Sequence, residues 1–186
     1  MEIRLARTDE LTTAELECIR HVCETAFGER EGPRPTRSLV FTAEDWDHTF
    51  GGVHVVALEE GAIVAHAAVI ERELHVGGVV MRTGYVEAVA TLPVHQRRGF
   101  GMAVMRAASD HIRSSFELGA LDSSKHRFYE RVAWERWRGP TWVRTAGGLE
   151  RTEEEDPYVM ILRTPTTPPI DLSSPISCDW RPGDVW

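Results

Sequence analysis

Hydrophobic positions change period along the chain, and each change predicts an element. Residues 2–7 alternate, with Ile3 and Leu5 on one side, and predict a short strand. Thr12 and Glu15 form a capping box ahead of Leu16, Ile19, Val22, Cys23, Ala26 and Phe27, whose spacing predicts a helix. Residues 28–37 hold glycine, proline and charge, and predict a loop. Thr42 with Asp45 marks a second capped start, and Gly51-Gly52 ends that short helix. The period then shortens. Residues 53–58 are rich in β-branched positions, Glu59-Glu60-Gly61 predicts a turn, and residues 62–76 predict a long strand. Gly77-Gly78 turns into strands over 79–82 and 85–92, so the stretch reads as an antiparallel meander.

Helical spacing returns over 99–116, through Met102, Val104, Met105, Ala108, Ile112 and Phe116. A strand over 118–121, a helix over 125–132 and late strands over 134–144 and 158–163 follow, with the acidic stretch 150–156 as a loop. Beyond Pro165 the chain is rich in proline and serine, yet it carries Trp180 and Trp186, which predicts a docked tail. The order β-α-α-β-β-β-α-β-α-β-β predicts an α+β fold.

Composition adds bounds. The 186 residues are 42% hydrophobic and 27% charged, which predicts one globular domain over 1–186, with 165–186 as its tail, and excludes collagen, coiled coil and wholesale disorder. No apolar run approaches the roughly 20 residues that span a bilayer. The longest candidate, 62–70, is interrupted by His66, and Met1-Glu-Ile-Arg-Leu lacks the apolar core of a signal peptide. With 29 acidic against 21 basic residues the net charge is −8, which disfavours a nucleic-acid partner and suits a cationic substrate. Cys18, Cys23 and Cys178 are an odd set without metal-ligand spacing, as expected of a reduced, cytoplasmic protein. None of the eight histidines stands in H-x-x-x-H spacing, and His66 lies in an apolar strand, so a hydrogen-bonded structural histidine is expected there and no metal.

The sharpest local signal is Gln96-Arg97-Arg98-Gly99-Phe100-Gly101, between a predicted strand and a predicted amphipathic helix. A helix N-terminus carries unpaired N–H groups and partial positive charge, and glycines let a diphosphate approach the backbone. An ordinary turn before a helix accounts for the same residues. Neither G-x-G-x-x-G nor a Walker loop is present.

Following the strand GYVEAVATL (84–92), this segment resembles the acetyl-CoA pyrophosphate loop, Q/R-x-x-G-x-G/A, of the GNAT N-acetyltransferases. With EDWDHT (44–49), IVAHAAVI (63–70), GALDSS (119–124) and CDWRPGDVW (178–186), the chain from about residue 2 to its last residue resembles the aminoglycoside 2′-N-acetyltransferases. The resemblance implies a GNAT fold, a central mixed and mostly antiparallel sheet flanked by helices. It also implies acetyl-CoA as co-substrate, an aminoglycoside as substrate, antibiotic resistance as outcome and a homodimer.

Residue by residue, it implies Glu87 as a general base acting through water and Tyr129 as the acid that protonates the leaving thiolate. Val89, Ala90 and Thr91 would offer backbone groups to the pantetheine arm, and Gln96, Arg97, Arg98, Gly99, Phe100 and Gly101 would cradle the pyrophosphate. Substrate contacts would come from Asp45, Glu87, Ala88, Asp122, Glu155, Asp184 and Trp186, largely acidic because aminoglycosides carry ammonium groups. Ala88 stands where the family has glycine, and Asp122 where it has serine. Two rival readings stay open: a GNAT enzyme for another amine, such as a polyamine or peptide, and a non-catalytic acyl-CoA sensor.

Overall fold

A computed structural model describes residues 1–28 and 41–186; of the loop expected over 28–37, all but Gly28 lies outside the described residues. Among the described residues the strands are β1 (Glu2–Arg7), β2 (Val53–Glu59), β3 (Ala62–Val76), β4 (Val79–Thr91), β5 (Leu118–Asp122), β6 (Glu135–Arg136), β7 (Thr141–Thr145), β8 (Gly148–Arg151), β9 (Val159–Arg163) and β10 (Ile176–Asp179). The helices are α1 (Thr13–Gly28), α2 (Ala43–Asp47), α3 (Phe100–Ser115) and α4 (His126–Glu130). The described chain forms two compact units, Met1–Ile70 with Glu87–Ala108, and Glu71–Val86 with Ser109–Trp186.

In the first unit β1 pairs with β2, and β2 with β3, both antiparallel. Glu60 and Gly61, at φ 52° and 83°, make the two-residue turn between β2 and β3. Left-handed residues at both positions match the twist of the flanking strands. The core takes Ile19, Val22, Cys23 and Ala26 from one face of α1, with Ala6, Trp46, Val56 and Ala90. Those are the helix positions that the apolar spacing selects.

In the second unit the strands run in the order β6-β9-β5-β4-β3-β10-β7-β8. Pairs β4/β5 and β10/β7 are parallel, whereas β5/β9, β6/β9, β7/β8 and β10/β3 are antiparallel. The expected α+β class with a mixed, mostly antiparallel sheet is therefore the observed one. Its core joins Leu74, Met81, Tyr85, Leu118, Val159, Ile161, Ile176 and Trp186.

Several local expectations are corrected. Strand β4 is continuous where a break was expected at Thr83-Gly84. Gly84 serves packing instead: a Cβ there would come within 2.8 Å of Ile112 and Phe116 side-chain atoms. The strand expected over 134–144 is interrupted, because a Cβ at Gly139 would lie 1.9 Å from the Ser174 carbonyl oxygen and the N–H groups of Arg138 and Gly139 both bond Leu172 O at 2.9 Å. The helix expected over 125–132 shortens to α4, since Ala133 at φ 67° turns the chain back and Trp134 N–H bonds Tyr129 O. Strand β10 lies in the segment expected only as a docked tail, and β8 takes in the first two residues of the loop expected over 150–156.

Candidate active site

In the first unit the chain leaves β4 at Thr91, makes a 3-10 turn over Pro93–His95 and enters α3 at Phe100. Gln96 Nε2 donates to Thr91 O at 3.2 Å, which ties the loop to the strand end. Arg97 and Gly99, at φ 61° and 92°, put left-handed backbone on either side of Arg98. The bond Ala103 N–H to Gly99 O, 3.0 Å, opens the helix, leaving the N–H groups before it as the helix end's outward donors. Buried Phe100 seats this turn, with the His95 ring edge-on at 5.8 Å.

Glu59 was not singled out in the sequence, because its partners are distant in the chain. It accepts from Arg98 Nη2 at 2.5 Å and lies 3.1 Å from His95 Nε2. Arg98 is thus held by a carboxylate, while Arg97 is exposed.

Within β4, Glu87, Ala88 and Val89 are half-buried and Ala90 is buried. Ala88 has φ 49°, the left-handed region that glycine enters freely and alanine at a cost. Asp45 closes a capping box on α2: its Oδ2 accepts Thr42 N–H at 2.9 Å, and Thr42 Oγ1 accepts Asp45 N–H at 3.2 Å. One of its carboxylate oxygens is therefore committed to the helix start.

A polar chain runs through the first-unit core. His66 Nδ1 lies 3.0 Å from Ala88 O, His66 Nε2 lies 3.0 Å from His54 Nδ1, and His54 Nε2 lies 3.1 Å from Thr8 Oγ1. His66 is thus the hydrogen-bonded structural histidine that its apolar strand predicts. Burial pushes the His54 imidazole down to about 4; burial, with the repulsion of His54, pushes His66 to about 3.

Both rings are uncharged at neutral pH. In the unfolded chain they bind protons near pH 6.5, and in the folded chain only at lower pH. The unfolded state therefore binds more protons between these values, so folding stability is full above pH ~6.5 and falls as pH drops toward 4, by roughly 3 kcal/mol at pH 4 for His54 alone. Denaturant midpoints measured from pH 7 to 4 should show this decline. A flat midpoint across that range would mean that both imidazoles protonate normally in the folded protein. Among the described residues no group of three or more His, Cys, Asp or Glu is placed to hold a metal.

The second unit carries the other expected residues. Strand β5 ends in half-buried Asp122, paired with Val159, and α4 presents buried Tyr129, whose ring meets Phe128 and Trp134 edge-on at 4.9 and 6.3 Å. Glu155 is the buried member of its glutamate run, in a 3-10 turn whose N–H bonds Thr152 O at 2.9 Å. Asp184 is half-buried, and its carbonyl accepts from Arg181 Nε at 2.7 Å.

Of the two tail tryptophans, Trp186 is 2% exposed and Trp180 is 58% exposed, so one docks and the other does not. Trp186 Nε1–H donates to Thr152 Oγ1 at 3.1 Å, Thr152 to Thr141 at 2.9 Å, and Thr141 reaches Asp156 Oδ1 at 2.9 Å. Arg151 clamps Asp156 with both amino groups and, with Thr141's N–H, holds its carboxyl below the usual range. Arg72 pins the tail backbone at Asp179 O and Val185 O, 3.0 and 2.9 Å.

Residues 7–137 match the family model described as an acetyltransferase (GNAT) domain. The chain is 37% identical over 187 aligned residues, 98% of its length and 91% of the relative's, to an aminoglycoside 2′-N-acetyltransferase of Mycolicibacterium fortuitum. Its fold is similar to that of a GNAT family acetyltransferase from Brucella melitensis in complex with acetyl-CoA, at TM-score 0.59 and 18% identity, covering 91% of this chain and 94% of that one. It is also similar to Eis1 from Mycobacterium abscessus, at TM-score 0.58 and 20% identity, over 76% of this chain; the chain spans about a third (34%) of that protein.

Proposed function

The chain belongs to the GNAT acetyltransferases, and from that premise we propose that it moves the acetyl group of acetyl-CoA onto the 2′-amino group of an aminoglycoside. The observation that carries the substrate is the relative of that activity, matched along nearly the whole of both chains. The net charge of −8 supports a polycationic substrate.

In the proposed reaction the amine, once free of its extra proton, attacks the thioester carbonyl carbon. Glu87 takes that proton through water, the carbon–sulfur bond of the tetrahedral adduct breaks, Tyr129 supplies a proton to the departing thiolate, and the surplus proton left on the new amide nitrogen passes through water to the Tyr129 phenolate, leaving amide and CoA thiol. Holding both substrates makes a covalent enzyme intermediate unnecessary. Gln96 to Gly101 bind the pyrophosphate, while Val89, Ala90 and Thr91 line the pantetheine arm with backbone groups. Asp45, Ala88, Asp122, Glu155, Asp184 and Trp186 contact or shape the aminoglycoside site. On this reading the enzyme confers aminoglycoside resistance and works as a homodimer in the cytoplasm, where its cysteines stay reduced.

The test is regiochemical. Aminoglycosides with a 2′-amine should gain one acetyl group at that nitrogen, while analogues with a 2′-hydroxyl should pass unchanged. Mass spectrometry and NMR of the products read both outcomes. Acetylation at another nitrogen would leave the GNAT chemistry and remove the 2′ assignment; acetyl-CoA binding without CoA release from any amine would favour a sensor.

A further inference from the structure

We propose that His66 and His54 are positioning residues for acetyl transfer: locked as neutral Nδ1–H tautomers, they hold the Ala88 carbonyl and thereby the left-handed kink that sets the backbone course beside Glu87. The inference rests on the reading of Glu87 as the base.

The direction of every bond in the chain follows from its end. A carbonyl only accepts, so His66 Nδ1, 3.0 Å from Ala88 O, carries the proton. A neutral His66 then has a bare Nε2, which must accept from His54 Nδ1–H at 3.0 Å. His54 Nε2 is bare in turn and accepts the Thr8 hydroxyl proton at 3.1 Å, while Thr8 Oγ1 accepts Gly51 N–H at 3.1 Å. Four elements are linked this way, from the backbone after β1, through β2 and β3, to the middle of β4. His54 and His66 are both fully buried, so neither ring trades these partners for water.

The far end of the chain is where the strain lies. Ala88 adopts φ 49° within a strand, which an L-residue does at a cost, and persists only where its surroundings over-determine it. The His66 bond supplies that determination: it takes the Ala88 carbonyl as acceptor and so fixes the peptide plane that follows Glu87's neighbour. The Cys23 thiol of α1, 3.7 Å from His66 Nδ1 and 3.9 Å from Ala88 O, closes the same pocket. A glycine at 88 would hold the kink unaided; the alanine makes the imidazole chain necessary.

The test uses the full chain, acetyl-CoA and a 2′-amino aminoglycoside. His66→Leu should lower kcat, read at saturating acetyl-CoA, roughly ten- to a hundred-fold, the scale of a small misplacement of a reacting group, and should weaken acetyl-CoA binding as well, because Val89 N–H lies in the same peptide plane. Ala88→Gly in the His66→Leu background should restore kcat to within about threefold of Ala88→Gly alone, because glycine enters the left-handed region without help. His66→Asn, which keeps an N–H donor near the Nδ1 position, should lose far less than His66→Leu. Turnover per acetyl-CoA-binding site, from calorimetric titration, separates lost catalysis from lost folding.

Nitrogen NMR of isotope-labelled histidine gives a readout independent of activity: two Nδ1–H tautomers are expected near neutral pH. A His66→Leu loss that Ala88→Gly does not relieve, wild-type kcat in folded His66→Leu, or Nε2–H tautomers would each overturn the proposal. If Glu87→Gln is fully active while the tautomers and the His66–Ala88 coupling hold, the reading of Glu87 fails and the positioning of β4 stands.

Discussion

Glu87→Gln is expected to lower kcat/KM for the aminoglycoside by roughly 10²–10⁴-fold, the range that a general acid–base group contributes. The amide keeps the size and hydrogen-bonding reach of the carboxylate and loses only its ability to take a proton. Protonated substrate amine must shed a proton before attack, so the loss should deepen as pH falls and more of the amine is ammonium. Acetyl-CoA affinity should hold, because the residues proposed for the pyrophosphate, Gln96 to Gly101, are untouched. Tyr129→Phe should slow turnover less, since a thiolate is a fair leaving group without a proton. Steady-state pH–rate profiles with acetyl-CoA titrations check both variants; profiles matching wild type would remove Glu87 and Tyr129 from their roles.

Trp186→Ala should cost about 3–5 kcal/mol of folding stability, the range for truncating a buried aromatic. The indole is 2% exposed and packs with the second-unit core that includes Tyr85, Leu118 and Ile176. Its N–H also begins the Thr152–Thr141–Asp156 chain, so truncation leaves a cavity and takes a donor from a buried hydroxyl. Trp186→Phe keeps most of the ring and loses the N–H, and should cost about 1–2 kcal/mol. Denaturant unfolding of the variants measures this directly. A Trp186→Ala loss under about 1 kcal/mol would mean that the tail is not part of the core.

Sequence alone determined the elements whose signal is local. The α1 face, the capped start of α2, the glycine-bearing turns at 60–61 and 77–78, and the glycine-bearing turn that opens α3 all follow from spacing, caps and backbone freedom within a few residues. The GNAT assignment was legible for the same reason, since the Q-R-R-G-F-G loop is contiguous.

Tertiary structure decided what depends on partners far apart in the chain. Gly84 looks like a strand break until Ile112 and Phe116 occupy the space its side chain would take, and Gly139 like a passing residue until Ser174 closes on it. The tail's strand β10 exists because β3 and β7 offer it edges, and of two tryptophans only Trp186 finds a donor's partner and a core. Glu59 was a turn residue until Arg98, 39 positions on, reached it. His66 could be read as structural, but not as the second link from Thr8 to a strained Ala88. Hydrogen-bond direction and left-handed backbone arise only when the strands pair, because a side chain's partner is set by the register of its neighbours and not by its own position.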